Sequence, residues 1–287
     1  MIYDSSAAWR GAAHKRLLFF GMSGLGKTRL AAMLREGGDW FHYSIDYRIG
    51  TRYMGELIAD NAKREAMRVP LLRELLMTDS IYIGSNITFD NLAPLSTYLG
   101  KPGDPARGGL PFADYVRRQA EHRDAETAAL LDTGHFIDRA GSLYGYPHFV
   151  CDTGGSICEV VDPDDPADPI LTHLSERLLM VWIRGSEAHT DALVRRFDRA
   201  PKPMYYAPAF LEACWSAYLA ETGTAPGAVD PDAFIRWTYA RAMAHREPLY
   251  AGMARWGVTL EASDVAEVRD EADITALVAD ALDRRAS

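Results

Sequence analysis

At 287 residues, with 48% apolar and 25% charged side chains, the chain can bury one large core without covalent staples, and its composition is that of an ordinary globular protein. A formal charge of -9 speaks against a broad basic face for nucleic acid, and no stretch approaches the roughly 20 apolar residues of a membrane span. Three cysteines without paired spacing suggest neither a disulfide framework nor a zinc site, and the N-terminus lacks a secretory pattern, so the cytoplasm is the expected compartment.

In chain order, Leu17 to Phe20 is a short apolar run that predicts a buried parallel strand. Gly21 ends it, helix formers run from Lys27 to Arg35, and Gly37-Gly38 stop them. WFHYSID, residues 40–46, predicts a second strand with Asp46 at its carboxyl end. From about 53 to 145 the pattern turns helical, with MGELIADNAKREAM and FADYVRRQAEHRDAETAALL flanking a turn-rich LGKPGDPARGGLP. This region reads as an insertion covering a ligand site. Two more strands are expected, one ending at Asp152 and one over Arg177 to Gly185, the most apolar run in the chain. Ser186 is a fitting N-cap for a helix over Thr190 to Phe197. Helices around 208–221 and 231–246, a strand at Gly257 to Ala262 and a single closing helix to Arg284 complete the chain. Alternating strands and helices predict an α/β three-layer sandwich on a five-stranded parallel sheet.

The segment GMSGLGKT, Gly21 to Thr28, matches G-x-x-x-x-G-K-[ST] in full. Its glycines let backbone N–H groups turn inward around a β-phosphate at a helix N-terminus. Lys27 would reach the outer phosphates and the Thr28 hydroxyl would ligate Mg²⁺. Gly21, Met22, Ser23, Gly24, Leu25, Gly26, Lys27 and Thr28, with Arg29 directly behind, are therefore the expected ATP-binding set, and ATP and Mg²⁺ the expected cofactors.

Two carboxylates follow strands. Asp46 stands where ligands bind in such sheets, beyond the strand ends, and could take the proton of an attacking hydroxyl or bind a substrate; the alternative is a helix cap. Its neighbours Arg48 and Arg52 could hold an anionic substrate. Asp152 after FVC fits the second half of the metal site with Thr28, and Gly154 and Gly155 behind it allow a ligand close to the backbone. SNITFDNL, with Asn86, Thr88, Asp90 and Asn91, is either a polar pocket wall or a surface turn.

GMSGLGKT, the YSIDYRIG segment, VCDTGGSI and the stretch LLMVWIRGSEAHTDALVRRFDRAPKPMYY together resemble the shikimate kinase and gluconate kinase branch of small-molecule P-loop kinases. The tail from Leu249 resembles that branch's adenine-side strand and closing helix. The resemblance implies a lid at about 195–207 that brings Arg195, Arg196 or Arg199 over the transferring phosphoryl group. Departures are Lys202 before Pro203 in place of an arginine, one glycine fewer after Asp152, and the long insertion. They leave the acceptor unnamed.

The expected function is transfer of the ATP γ-phosphate to a hydroxyl of a small metabolite, with Lys27, Asp46, Arg196 and Arg199 catalytic. Asp46, Arg48, Arg52, Gly154 and Gly155 are assigned to the acceptor, Thr28 and Asp152 to the metal. One alternative is a tRNA isopentenyl-transferase-like enzyme, since SIDYRIGTRYMG resembles a segment of those proteins. A regulatory ATPase or nucleotide sensor is the other. A small-molecule partner, no nucleic acid, no membrane and a monomer or weak dimer are expected.

Overall fold

The apolar run ahead of the phosphate loop becomes the central strand of a parallel sheet. The computed structural model describes residues 1–286. Its strands are β1 (Arg16–Phe20), β2 (Trp40–Ser44), β3 (His148–Asp152), β4 (Leu179–Arg184) and β5 (Val258–Glu261), in the order β2-β3-β1-β4-β5, all parallel. Leu17, Leu18, Phe19 and Phe20 of β1 are fully buried, which accounts for a continuous apolar run where a half-exposed strand would alternate. Each such side chain contributes about 1.5–3 kcal/mol on burial.

Register decides where the chemistry falls. Phe19 lies beside Asp152, and Ser44 also lies beside Asp152 from the other neighbour. The carboxyl ends of β1, β2 and β3 are thereby aligned. The strand order reverses about β1, so the crevice outside these ends is the switch point at which open parallel sheets bind ligands.

Helices form two groups against the sheet. Lys27–Glu36 packs on β1, β2 and β3 and meets Glu271–Ala286, which in turn packs on β5 and on Ser6–Gly11. Thr133–Ser142 packs on β2 and β3 and meets Pro169–Ser175, which packs on β4. The result is an α/β sandwich on a five-stranded parallel sheet, as the sequence predicts.

The chain divides into two units. The first comprises 1–45, 126–201 and the residues from Arg236 on, and holds the whole sheet. The second comprises 46–125 and 202–235. It is helical, with one isolated bridge between Pro102 and Leu110. The Phe112 and Trp215 rings stack at 4.4 Å in its interior, and Phe234 meets both Trp215 and Tyr218 edge-on. The insertion expected at 53–145 thus runs through both units, its last twenty residues belonging to the first.

Two elements differ from expectation. β2 ends at Ser44, and Ile45–Arg48 is helical, which moves Asp46 from a strand end to a first helical turn. A carboxylate is favoured there by the helix dipole, and Ile45 is anchored in the core. The closing helix is two helices, Ala262–Glu267 and Glu271–Ala286. Asp270 accepts from the Asp273 N–H at 3.0 Å while Asp273 accepts from the Arg269 N–H at 2.9 Å, a reciprocal cap that starts a new helix.

Candidate functional site

The phosphate loop leaves β1 through Gly21, at φ 131°, a conformation that side-chain-bearing residues avoid. A Cβ on Gly21 would stand 2.6 Å from the Ile183 carbonyl oxygen, so β4 and the loop pack backbone to backbone. Lys27, 5% exposed, folds its ammonium back over the loop, donating to the Gly21 carbonyl at 2.7 Å and the Met22 carbonyl at 2.8 Å. A buried cation held on carbonyls at the start of a ten-residue helix is suited to outer phosphates.

Thr28 is the second residue of the same helix, and its hydroxyl donates to Asp152 Oδ2 at 2.8 Å. His42 Nε2 lies 2.9 Å from Asp152 Oδ1, so both carboxylate oxygens are engaged. Burial, at 5% exposure, would push this carboxyl up; the hydrogen bond and charge of His42, with bonds from Thr28 and Ser44, outweigh it and hold it below the usual carboxylate range. One hydroxyl and one ionised carboxylate at a phosphate loop form the oxygen donor set that Mg²⁺ takes from protein, the remainder coming from phosphate and water. Both donors are present and already oriented on one another, so the residues fit the metal. Among the described residues no cluster of three or more His, Cys, Asp or Glu offers a self-sufficient metal site.

Behind Asp152 the chain turns past the loop. Thr153 donates from both its N–H and its hydroxyl to the Phe19 carbonyl. Gly155 approaches the phosphate loop so closely that a Cβ there would stand 2.7 Å from Ser23 Oγ. Tyr250, fully buried on the helix Pro231–Ala254, donates its hydroxyl to the Gly155 carbonyl at 2.5 Å. Ser156 donates to Glu126 Oε1 at 2.9 Å, and Glu159 pairs with buried Arg246. Burial raises the Tyr250 phenol well above its usual value and pushes the Cys158 thiol up to about 12. The 152–159 segment is thus fixed from beneath by polar groups.

The helix Glu187–Arg199 starts with a capping box, Ser186 Oγ accepting from the His189 N–H. Its buried Leu193 and exposed Arg196 lie at the phosphate loop: a Cβ on Gly24 would stand 3.0 Å from Leu193 Cδ2 and 3.2 Å from Arg196 Nη2. Arg199 is the last residue of that helix and is exposed, and Arg195 is exposed as well. Arg29 points elsewhere. Its guanidinium donates to the carbonyls of Val265 and, at 3.2 Å, Val268, tying the phosphate-loop helix to the segment behind β5.

The expected acceptor-side residues Asp46, Arg48 and Arg52 belong to the second unit. There Asp46 occupies the first turn of Ile45–Arg48, the Arg48 guanidinium lies 5.5 Å from the Tyr53 ring centroid, and Arg52 is exposed. The stretch 202–207 is held in that unit: Gln119 accepts from the Tyr206 N–H at 2.8 Å and donates to the Met204 carbonyl at 3.2 Å.

His42, Tyr250, Glu126, Glu159 and Arg246 escaped sequence reasoning. His42 had a signal, a polar residue in the middle of an apolar strand on the same side as Ser44. Glu126, Arg246 and Tyr250 sit in long helices whose polar positions look like solvated ones, and Glu159 ends a three-residue turn.

No protein-family model matches the chain, and no curated protein matches it. Among solved structures the fold is similar to a shikimate kinase from Bacteroides thetaiotaomicron, at 15% identity over 94% of this chain and 96% of that one, with a TM-score of 0.39. It is also similar to a shikimate kinase from Acinetobacter baumannii in complex with shikimate, at 14% identity over 98% and 94%, with a TM-score of 0.35.

Proposed function

We propose that this chain is an ATP-dependent phosphotransferase that passes the terminal phosphoryl group to a hydroxyl of a small metabolite. The observation that carries the reading is the Thr28–Asp152 hydrogen bond beside a buried Lys27, with Arg196 against Gly24. Lys27 would hold the outer phosphates, and Thr28 and Asp152 would hold Mg²⁺. When bound, the metal screens phosphate charge and orients the transferring group. Arg196 is the side chain at the loop that can neutralise charge spreading over the equatorial oxygens.

In the transfer the acceptor oxygen forms a bond to the γ-phosphorus as the bond to the ADP oxygen breaks. The hydroxyl proton needs a base; Asp46, directly behind β2, is assigned that part, and Arg48 and Arg52 the recognition of the acceptor. Little covalent chemistry is left to the protein, so positioning and charge stabilisation supply the rate. The test is ADP release with Mg²⁺-ATP over a panel of sugars, polyols, hydroxy acids and hydroxylated amino acids. The reading expects at least one compound to raise turnover well above the acceptor-free rate. ATP binding with no compound raising turnover contradicts it.

A further inference from the structure

The segment SNITFDNL and the residue Lys202 come together in a place the phosphate-loop chemistry does not use. In the second unit a cavity of about 700 Å³ is walled by Phe89, Asp90 and Ser96 on one part of the chain and by Lys202 and Pro203 on another. Its size is that of pockets that hold small molecules. Phe89 is fixed as a wall by stacking on Tyr47 at 4.9 Å.

The charges lining this cavity sort into two kinds. Lys101 is already paired, to Asp232 at 2.6 Å, and Arg107 to Asp230 at 2.5 Å. These neutralise one another and attract no ligand strongly. Lys202 and Asp90 are different: among the described residues neither has an ion-pair or hydrogen-bond partner, and they do not pair with each other. One unpaired cation and one unpaired carboxylate therefore face a single cavity from separate segments. A purely anionic ligand would meet Asp90, and a purely cationic one Lys202. Only a molecule carrying both signs satisfies both.

We infer that this cavity binds a small zwitterion of the amino-acid class, its carboxylate on Lys202 and its ammonium on Asp90, with Ser96 and the Phe89 ring meeting the rest. The inference stands independently of the proposed phosphotransfer, because binding is read with no nucleotide present.

The test is calorimetric titration of the full-length protein with each of the common L-amino acids. For any that binds, its des-amino acid and its decarboxylated amine are titrated as well. The expected result is at least one amino acid binding once per chain with a dissociation constant below about 1 mM. Both truncated analogues, and both Lys202→Ala and Asp90→Ala, should weaken binding about tenfold or more. Both residues are exposed, so the variants keep the wild-type circular dichroism and fold; Lys63→Ala, also exposed, is the control that leaves binding unchanged. Failure of every amino acid overturns the inference. So does binding that either analogue reproduces or that survives both substitutions.

Discussion

The Thr28 hydroxyl and the Asp152 carboxylate, 124 positions apart in sequence, are joined by a 2.8 Å hydrogen bond across the carboxyl ends of β1 and β3. On the proposed function this pair is the protein's share of the metal site. Asp152→Asn keeps the shape and removes the charge. It should weaken Mg²⁺-dependent ATP binding about 10–100-fold while binding of ADP in chelator changes little. Titrations with and without Mg²⁺ check this, and equal losses in both would detach Asp152 from the metal.

The arginines of the helix Glu187–Arg199 should not be equivalent. Arg196 lies against Gly24 and Arg199 near the helix end. Arg196→Ala should lower kcat about 10²–10³-fold with KM for ATP nearly unchanged, as expected for a group that acts on charge developing in the transition state. Arg199→Ala should cost far less. Steady-state kinetics of the two variants side by side decide the order.

Gly155 is the point of close approach between two loops. Gly155→Ala would place a methyl group 2.7 Å from Ser23 Oγ and 3.3 Å from the Ser23 backbone nitrogen, so the serine side chain must turn away and the loop must give slightly, and nucleotide affinity should fall modestly. Tyr250→Phe removes the hydroxyl from the buried Gly155 carbonyl and should destabilise the fold by about 1–3 kcal/mol. Chemical denaturation measures the second effect, nucleotide titration the first.

Much of this site is legible in the amino-acid sequence. A complete phosphate-loop motif after an apolar run left little freedom: glycine spacing, lysine and threonine each answer one requirement of phosphate and metal. Asp152 is legible only in company: a carboxylate ending an apolar strand is a weak signal alone, and the full phosphate loop and the glycines behind it give it weight. Asp46 is legible in position but not in element: WFHYSID reads as one strand, whereas the strand ends at Ser44 and the chain is helical from Ile45. Arg29 is assigned by adjacency to the motif alone, and its guanidinium donates to the Val265 and Val268 carbonyls. Glu126, Arg246 and Tyr250 could not be read, because their burial is created by long-range packing of helices whose own periodicity is weak.

The Arg246–Glu159 pair is almost wholly buried, so removing one partner strands the other's charge. Arg246→Met should cost about 3–5 kcal/mol, whereas replacing both residues by apolar ones of similar volume should recover much of that loss. Thermal unfolding of the single and double variants checks the asymmetry.

All three cysteines are buried, and the Cys158 thiol is raised to about 12. At pH 8 only about one Cys158 in ten thousand would be thiolate. The native protein should therefore react slowly with a thiol reagent, and all three residues should become titratable in denaturant. Rapid labelling of Cys158 in the native state would contradict this burial.

The central claim is that the phosphoryl group goes to a hydroxyl and not to water. Phosphorus NMR of a reaction with Mg²⁺-ATP and the acceptor that most accelerates ADP release tests it directly. The account predicts a new phosphomonoester resonance growing in step with ADP, abolished by Lys27→Ala. Inorganic phosphate as the sole product, formed at one rate with or without acceptor, would contradict it.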